Sequence, residues 1–415
     1  VGTPYRWTDD ERIVDMLATS QVAWPTLDHP AFGAIDGKRP TNHQLAELGK
    51  ALASPVGILC GRPGAGKSFT LARLVKALIA THDAHRILVV SPTNMAAIRC
   101  REFLESVGCG CVRVATVHSA LGIQSTDGEW EFRHNEKNPL PVRFLIGDEW
   151  SMVGTGLFCS FLKAVPKDCG LLMIGDTNQL PPVEYGSPLR DMIAAGVPAG
   201  ELSEIHRNSG SIVRVCSAIC DGRPWQPDDC LDLKAANPQN LLLTPASQAQ
   251  AQAKVLELLA TIRDQSPFDA VWDTQVLVAV NKKSPLSRVE LNRKIQEMLN
   301  PAPCDPKTPF RMGDKVVQVE KEVAPLAEYQ KDWRTKQHEW KPVDERVTIY
   351  KGEFGRVLLA EEKRTVVRFF NPERTVIVYR GSKNGDGKDG DSADDDAESR
   401  TGCNMDLGYA VTVHR

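Results

Sequence analysis

The sequence predicts an α/β chain organised on a parallel sheet. Three observations carry that expectation. Short apolar runs, "VGILC", "RILVV", "RFLIGD" and "LLMIGD", alternate with helical segments such as "SFTLARLVKALIATH" and "NMAAIRCREFLESVG". Continuous apolar runs between helices are the mark of parallel strands covered on both faces. The turn "CGRPGAGKSFT" (60–70) sets glycines, a proline and one lysine between such a strand and such a helix. After about 307 the pattern changes to short β-type runs with Gly, Pro or charged breaks, which suggests a small β-barrel.

With 415 residues the chain is too long for one ordinary core. Its 42% hydrophobic and 25% charged residues match a soluble globular protein. No apolar run is long enough to span a bilayer and no signal peptide opens the chain, so a cytoplasmic protein without a membrane role is expected. The first residue is Val1, as in a processed or recombinant product. A net charge of -3 does not decide about a polyanion partner, because a local basic path is averaged away in the sum. The eleven cysteines are scattered, and Cys60, Cys216 and Cys220 lie in apolar segments. They read as buried free thiols of a reducing compartment. Cys100, Cys109 and Cys111 lack a fourth ligand at zinc spacing.

Taken in order, residues 1–40 form an N-terminal segment with a helical stretch at "TDDERIVDMLATS". Residues 41–200 hold the first α/β domain. A second, 201–306, is signalled by "IVRVCSAICDG", "TQVLVAVN" and "SRVELNRKIQEMLN", and resumes at 403–415. Between them, 307–380 carries "GDKVVQVE", "RVTIY", "EFGRVLLA", "RTVVRFF" and "RTVIVYR" as the barrel. Residues 381–402 are rich in Gly, Ser and Asp and are expected to be a disordered acidic loop.

The turn at 60–70 fits G-x-x-x-x-G-K-[ST] through Gly61, Gly66, Lys67 and Ser68. Backbone N–H groups must point inward at phosphate oxygens, and glycines at 61, 64 and 66 remove the β-carbons that would block them. Ala65 and Phe69 complete the stretch. The helix that follows offers its first N–H groups to the same anion. Lys67 reaches the β- and γ-phosphates and Ser68 ligates Mg²⁺, so ATP and Mg²⁺ are the expected ligands. In "RFLIGDEWSM" a strand delivers two carboxylates to the same sheet edge. Asp148 would hold the metal through water, and Glu149 would orient and deprotonate the attacking water. "LLMIGDTNQLPP" ends in Asp176 and Gln179, and the Gln179 amide suits a γ-phosphate sensor.

In order along the chain, "GRPGAGKS", "SPTNMAA", "ATVHSALG", "GDEWSMV", "GDTNQLPPVEYGSPL" and "EIHRNSGSI" resemble superfamily 1 helicases. "DEWSM", "GDTNQLPPV", "FRMGDKVVQ" and "YKGEFGRV" resemble its RecD-like branch, superfamily 1B. The resemblance covers about 41 to 415. It implies two RecA-like P-loop NTPase domains, a β-hairpin insertion at about 123–141, an SH3-like barrel insertion, and 5′ to 3′ movement on single-stranded DNA. It places Gln44 as an adenine reader and Arg207 as the arginine that stabilises charge on the transferring phosphoryl group. Thr93, Asn94, Thr116 and His118 would hold DNA phosphates in the first domain, and Thr412 and His414 in the second. Trp130 or Phe132, in the insertion, would meet the last base pair of a single-strand/duplex junction. The family continues past the position of Arg415 with a further arginine-bearing motif. Nucleotide binding with weak unwinding is therefore expected of these residues. An RNA helicase, or a nucleotide-binding module with weak catalysis, stays open beside the DNA helicase. A monomer is expected, or a subunit of a repair or replication assembly.

Overall fold

A computed structural model describes residues 22–33, 37, 39–126, 129–204, 210–229, 231, 233, 240–303, 307–331, 336–370, 372–380 and 404–412. The side chains of 123–126 and 129–130 are outside that description. So are the helical stretch expected at 8–20 and the acidic loop at 381–402. The chain divides into two compact units, Val1–Gln226 and Pro227–Arg415.

The first unit opens with α1 (Asn42–Ala51) and β1 (Val56–Gly61), then α2 (Lys67–Ile79), β2 (Ile87–Ser91), α3 (Asn94–Ser106) and β3 (Arg113–Thr116). A short α4 (Val117–Leu121) leads to a hairpin, β4 (Ile123–Thr126) and β5 (Glu129–Phe132). Then come β6 (Phe144–Gly147), α5 (Thr155–Ala164), β7 (Gly170–Gly175), α6 (Pro188–Ala194), β8 (Ala199–Leu202) and α7 (Ser211–Cys220). Six strands form one sheet in the order β3-β2-β6-β7-β1-β8, and every pairing is parallel.

The apolar runs behave as parallel strands must. Every residue of β1, β2, β6 and β7 is buried. Alternate side chains enter opposite layers: Ile58, Leu145, Leu171 and Met173 pack in one core, and Leu59, Ile146, Leu172 and Ile174 in the other. Successive β-carbons point to opposite faces, so a strand covered on both sides has no polar position to spare.

The first unit extends past the expected boundary near 200. Strand β8 pairs with β1 from Ala199 to Leu202, and Asp221, just after α7, forms an ion pair with Arg62 at 2.7 Å. The thiols of Cys216 and Cys220 are also exposed rather than buried. On α7 the buried positions are Ser211, Val215 and Ala218, and the two cysteines fall off that stripe.

The second unit contains α8 (Gln248–Gln265), β9 (Val276–Val278) and α9 (Arg288–Leu299). Next come β10 (Lys315–Gln318), β11 (Glu322–Lys331), β12 (His338–Ile349), β13 (Phe354–Ala360), β14 (Arg364–Phe370) and β15 (Glu373–Tyr379). It closes with β16 (Met405–Leu407) and β17 (Ala410–Thr412). Seven strands make a sheet in the open order β12-β11-β15-β14-β13-β10-β16, antiparallel throughout. The return to the α/β part is later than expected: β16 still pairs with β10, and only β17 lies parallel to β9. Asn292 fixes that return, because its amide donates to Ala410 O at 2.9 Å and accepts from Ala410 N at 2.7 Å.

A buried ion pair ties β15 to the turn before β13. Arg374 Nη2 lies 2.6 Å from Glu353 Oε2, with side chains 8% and 2% exposed. Burial raises the Glu353 carboxyl above its ordinary range, and the Tyr350 N–H and Arg374 offset this only in part. Removing the cation would strand a buried carboxylate, a loss of about 3–5 kcal/mol. Arg374→Ala should therefore melt well below the parent, and Arg62→Ala, which breaks a partly solvated pair, should move far less. Equal shifts in the two melting curves would contradict this ranking.

Candidate nucleotide site

The phosphate-loop sequence forms the turn between β1 and α2. Gly64 and Gly66 have φ of 81° and 90°, a region where a side chain is strained, so glycine is required at both. Gly66 is the N-cap of α2 and supplies no side-chain hydrogen bond, so the first-turn N–H groups have no cap from it. Gly61 serves a different need from the one expected. A β-carbon there would meet Leu202 Cβ at 3.0 Å and Lys67 Cγ at 3.3 Å, so its absence allows close packing against β8 and the lysine stem. Lys67 Nζ donates to Gly61 O at 2.6 Å and to Arg62 O at 3.3 Å.

The loop borders a cavity of about 660 Å³. Gln44, Gly64, Gly66, Lys67, Ser68 and Phe69 line it, joined by Glu149 and Gln179 from two other strand ends. Ala65 is buried beneath, its carbonyl accepting from Gln44 Nε2 at 3.3 Å. A larger recess of about 760 Å³ includes Thr81, Arg86, Pro141, Arg143 and Asp168. That recess lies where β2 and β6 begin, and ligands of parallel α/β sheets bind where strands end.

Glu149 reaches the cavity through a strained backbone. Its φ and ψ are 55° and 38°, left-handed values rare for a residue with a side chain, at a cost of about 1–3 kcal/mol. The cause is Trp150. Its fully buried ring lies 4.8 Å from that of Phe161. A β-carbon at Gly147 would sit 2.3 Å from Trp150 Cε3. To tuck Trp150 under the strand it has just left, the chain must reverse at Glu149.

Asp148 is 8% exposed and does not line the cavity; its Oδ1 accepts from Glu149 N at 3.0 Å. Its carboxyl is pushed up to about 6, first by burial and then by the like charge of Glu149, while the Glu149 N–H and Lys67 pull the other way. A buried carboxylate so shifted is the kind of group a divalent cation stabilises, and Ser68 is exposed at the start of α2. Without a cation, a raised folded-state pKa favours folding at low pH, and that advantage disappears as pH rises through about 6. Ionised Asp148 then burdens the fold by at most about 3 kcal/mol. Asp148→Asn should thus melt above the parent near neutral pH in chelator, with the gap closing only toward about pH 4, and should lose Mg²⁺-dependent turnover. A lower melting point near neutral pH would contradict the assignment of this carboxylate.

Gln179 sits on the turn after β7. Its Oε1 accepts from Ser151 Oγ at 3.5 Å, and Asp176 Oδ1 caps the turn through Asn178 N at 2.9 Å. Arg190 on α6 donates to Thr177 O and, at 3.1 Å, to Gln179 O. That positioning residue was not expected from the sequence. Nor were Arg39, Thr41, Pro63 and Phe103, which also line the cavity. Thr41 was within reach: "TNHQ" is a capping box in which Thr41 Oγ1 accepts from Gln44 N and Gln44 Oε1 accepts from Thr41 N. Gln44 is therefore both helix cap and cavity wall. Each amide atom keeps further bonding capacity after these contacts.

Of the expected strand contacts, Thr93 and Thr116 are N-caps of α3 and α4, accepting from Ala96 N at 3.2 Å and Ser119 N at 3.1 Å. Asn94 opens α3, and His118 is exposed, its ring 6.1 Å from that of Phe132. Thr412 ends β17. Trp130 is on β5 opposite Ser125, and its side chain lies outside the described residues, as do Arg207 and His414 entirely.

Fold and site together define an α/β chain with a phosphate-loop motif at the edge of an all-parallel sheet. Residues 44–185 match the family model described as an AAA domain. Over 406 residues, 96% of this chain, it is 29% identical to the ATP-dependent RecD2 DNA helicase of Deinococcus radiodurans, covering 47% of that protein. It is 28% identical over 324 residues, 72% of this chain, to the RecBCD enzyme subunit RecD of Mycolicibacterium smegmatis, covering 58% of it. By sequence, then, the chain is similar to RecD-type helicases, and it spans about half the length of these curated relatives. Among solved structures, the Bacteroides Pif1 helicase in complex with ADP-AlF3 and ssDNA matches with a TM-score of 0.44 and 18% identity, covering 86% of this chain and 78% of that one. Among the described residues no helix is long and apolar enough to cross a membrane.

Proposed function

We propose that this chain is the motor portion of an ATP-dependent DNA helicase that moves 5′ to 3′ along a single strand. One observation carries the reading: Gln44, Lys67, Ser68, Glu149 and Gln179, from four separate segments, line one cavity at an uncapped helix start. Their residue types suit a nucleoside triphosphate. Gln44 reads the adenine edge, with Phe69 and Phe103 as apolar walls. Lys67 exchanges its loop carbonyls for phosphate oxygens, and Glu149 takes the proton of the attacking water. Ser68 and Asp148 would hold Mg²⁺, which neutralises phosphate charge when bound. Gln179 registers loss of the γ-phosphate, and Arg207 stabilises charge on the transferring phosphoryl group.

Thr93 and Thr116 accept from helix N–H groups, yet each hydroxyl hydrogen remains free to donate to a backbone phosphate. With Asn94 and His118 they form the first strand contacts, and Thr412 and His414 the second. The β4–β5 hairpin would act as a duplex-splitting pin through Trp130 or Phe132. The seven-stranded sheet would serve as an SH3-like insertion that helps enclose the strand. Assembly with other subunits, as the RecD relatives' name denotes, is compatible with this reading.

Displacement of streptavidin from biotinylated oligonucleotides tests polarity. ATP-dependent displacement from a 3′ end, and not from a 5′ end, is expected. Displacement from the 5′ end, or ATP turnover stimulated by RNA alone, would replace this reading.

A further inference from the structure

We infer that the second unit carries a base-stacking platform for single-stranded nucleic acid on one face of its long hairpin, formed by Tyr329, Lys331, His338 and Trp340. The inference rests on the motor reading above for the kind of ligand present. Strands β11 and β12 pair from Glu322 to Lys331, but β11 meets β15 only at Leu326 opposite Val376. Beyond Leu326 the two strands continue as a ribbon that no third strand joins among the described residues.

Directly opposed residues in an antiparallel pair share a face. The register sets Tyr329 against Trp340 and Lys331 against His338 on one face. Glu328 against Lys341 and Gln330 against Glu339 make the other. The first face is a row of rings. Tyr329 lies 5.5 Å from His338 at 25° between planes, and 5.1 Å from Trp340 at 47°. Tyr329 is 59% exposed.

Cross-strand aromatic pairs hold a ribbon in register, but that role needs only the ring edges facing each other and leaves broad ring surface in water. The charges differ between faces too. On the second face Gln330 Nε2 donates to Glu328 Oε2 at 2.6 Å, and Lys341 pairs with Glu339 at 3.1 Å. On the first, Lys331 has no partner among the described residues, and Lys336, two residues before β12, has none among them either. Rings exposed at Tyr329 and His338 and half-buried at Trp340, flanked by unneutralised cations, complement a ligand with open π-faces along an anionic backbone, which is a single strand. A duplex keeps its base faces stacked inside and offers none to such a row.

The test uses the whole chain and a fluorescein-labelled oligothymidylate followed by anisotropy. Tyr329→Thr keeps strand propensity and removes the ring; it should weaken binding about 5- to 100-fold. Gln330→Thr, on the opposite face, should bind as the parent does. Ultraviolet crosslinking of the parent to an oligonucleotide containing 5-iododeoxyuridine should map to Tyr329, His338 or Trp340, and decides the matter even if a variant folds poorly. Parent-like binding by Tyr329→Thr, with no crosslink between 327 and 342, would overturn the platform and leave the motor reading standing. It would point instead to a protein partner for this face. Failure of the parent to bind any single strand would sink both.

Discussion

Lys67→Ala should lower ATP turnover by at least about 10²–10³-fold, the scale of losing one preorganised charge at a developing anion. The ammonium stands on the cavity wall and is held by Gly61 O and Arg62 O, so its position is fixed by the loop it serves. Alanine leaves the first-turn N–H groups of α2 and both left-handed glycines in place. Nucleotide affinity should fall, while the sheet, whose strands are buried on both faces without help from Lys67, should melt unchanged. Turnover and thermal melting, measured on the same preparation, separate these outcomes. A variant that turns over ATP like the parent removes Lys67 from the chemistry.

Glu149→Gln should give the complementary phenotype: nucleotide binding within a few-fold of the parent, and turnover lower by about 10²–10⁴, the usual contribution of a general base. Glutamine has the same length and adopts the same strained backbone, because Trp150 and not the carboxylate imposes it. The substitution also removes the like charge that raises Asp148, whose carboxyl should titrate lower, though burial remains the larger cause. Isothermal titration with ATP and single-turnover hydrolysis check the two halves. Equal losses of binding and turnover would mean that Glu149 positions nucleotide and does not handle the proton.

The four strands that frame the site were legible because burial on both faces demands apolar runs, and "VGILC" or "LLMIG" admit no other economical reading. The phosphate loop was legible because its left-handed glycines leave few substitutes. What escaped notice lacked those signals. Strand β8, "AGEL", is short and carries an exposed glutamate, so it read as a boundary. Strand β16 is three residues long and follows the acidic stretch. The outer ribbon, "EYQK" to "HEWKP", has no apolar alternation because neither face meets a core. Periodicity reports burial rather than pairing. Arg190 and Phe103 act through tertiary approach from α6 and α3, which no local pattern encodes.

The most direct measurement is steady-state ATP turnover by the unmodified chain, with and without saturating oligothymidylate, at low and high salt. Coupling of the cavity to a strand predicts a rate that rises several-fold with the oligonucleotide, loses that rise as salt increases, and vanishes in Lys67→Ala. A rate indifferent to every single strand, DNA or RNA, would contradict the coupling and leave a nucleotide-binding protein that is not a nucleic-acid motor.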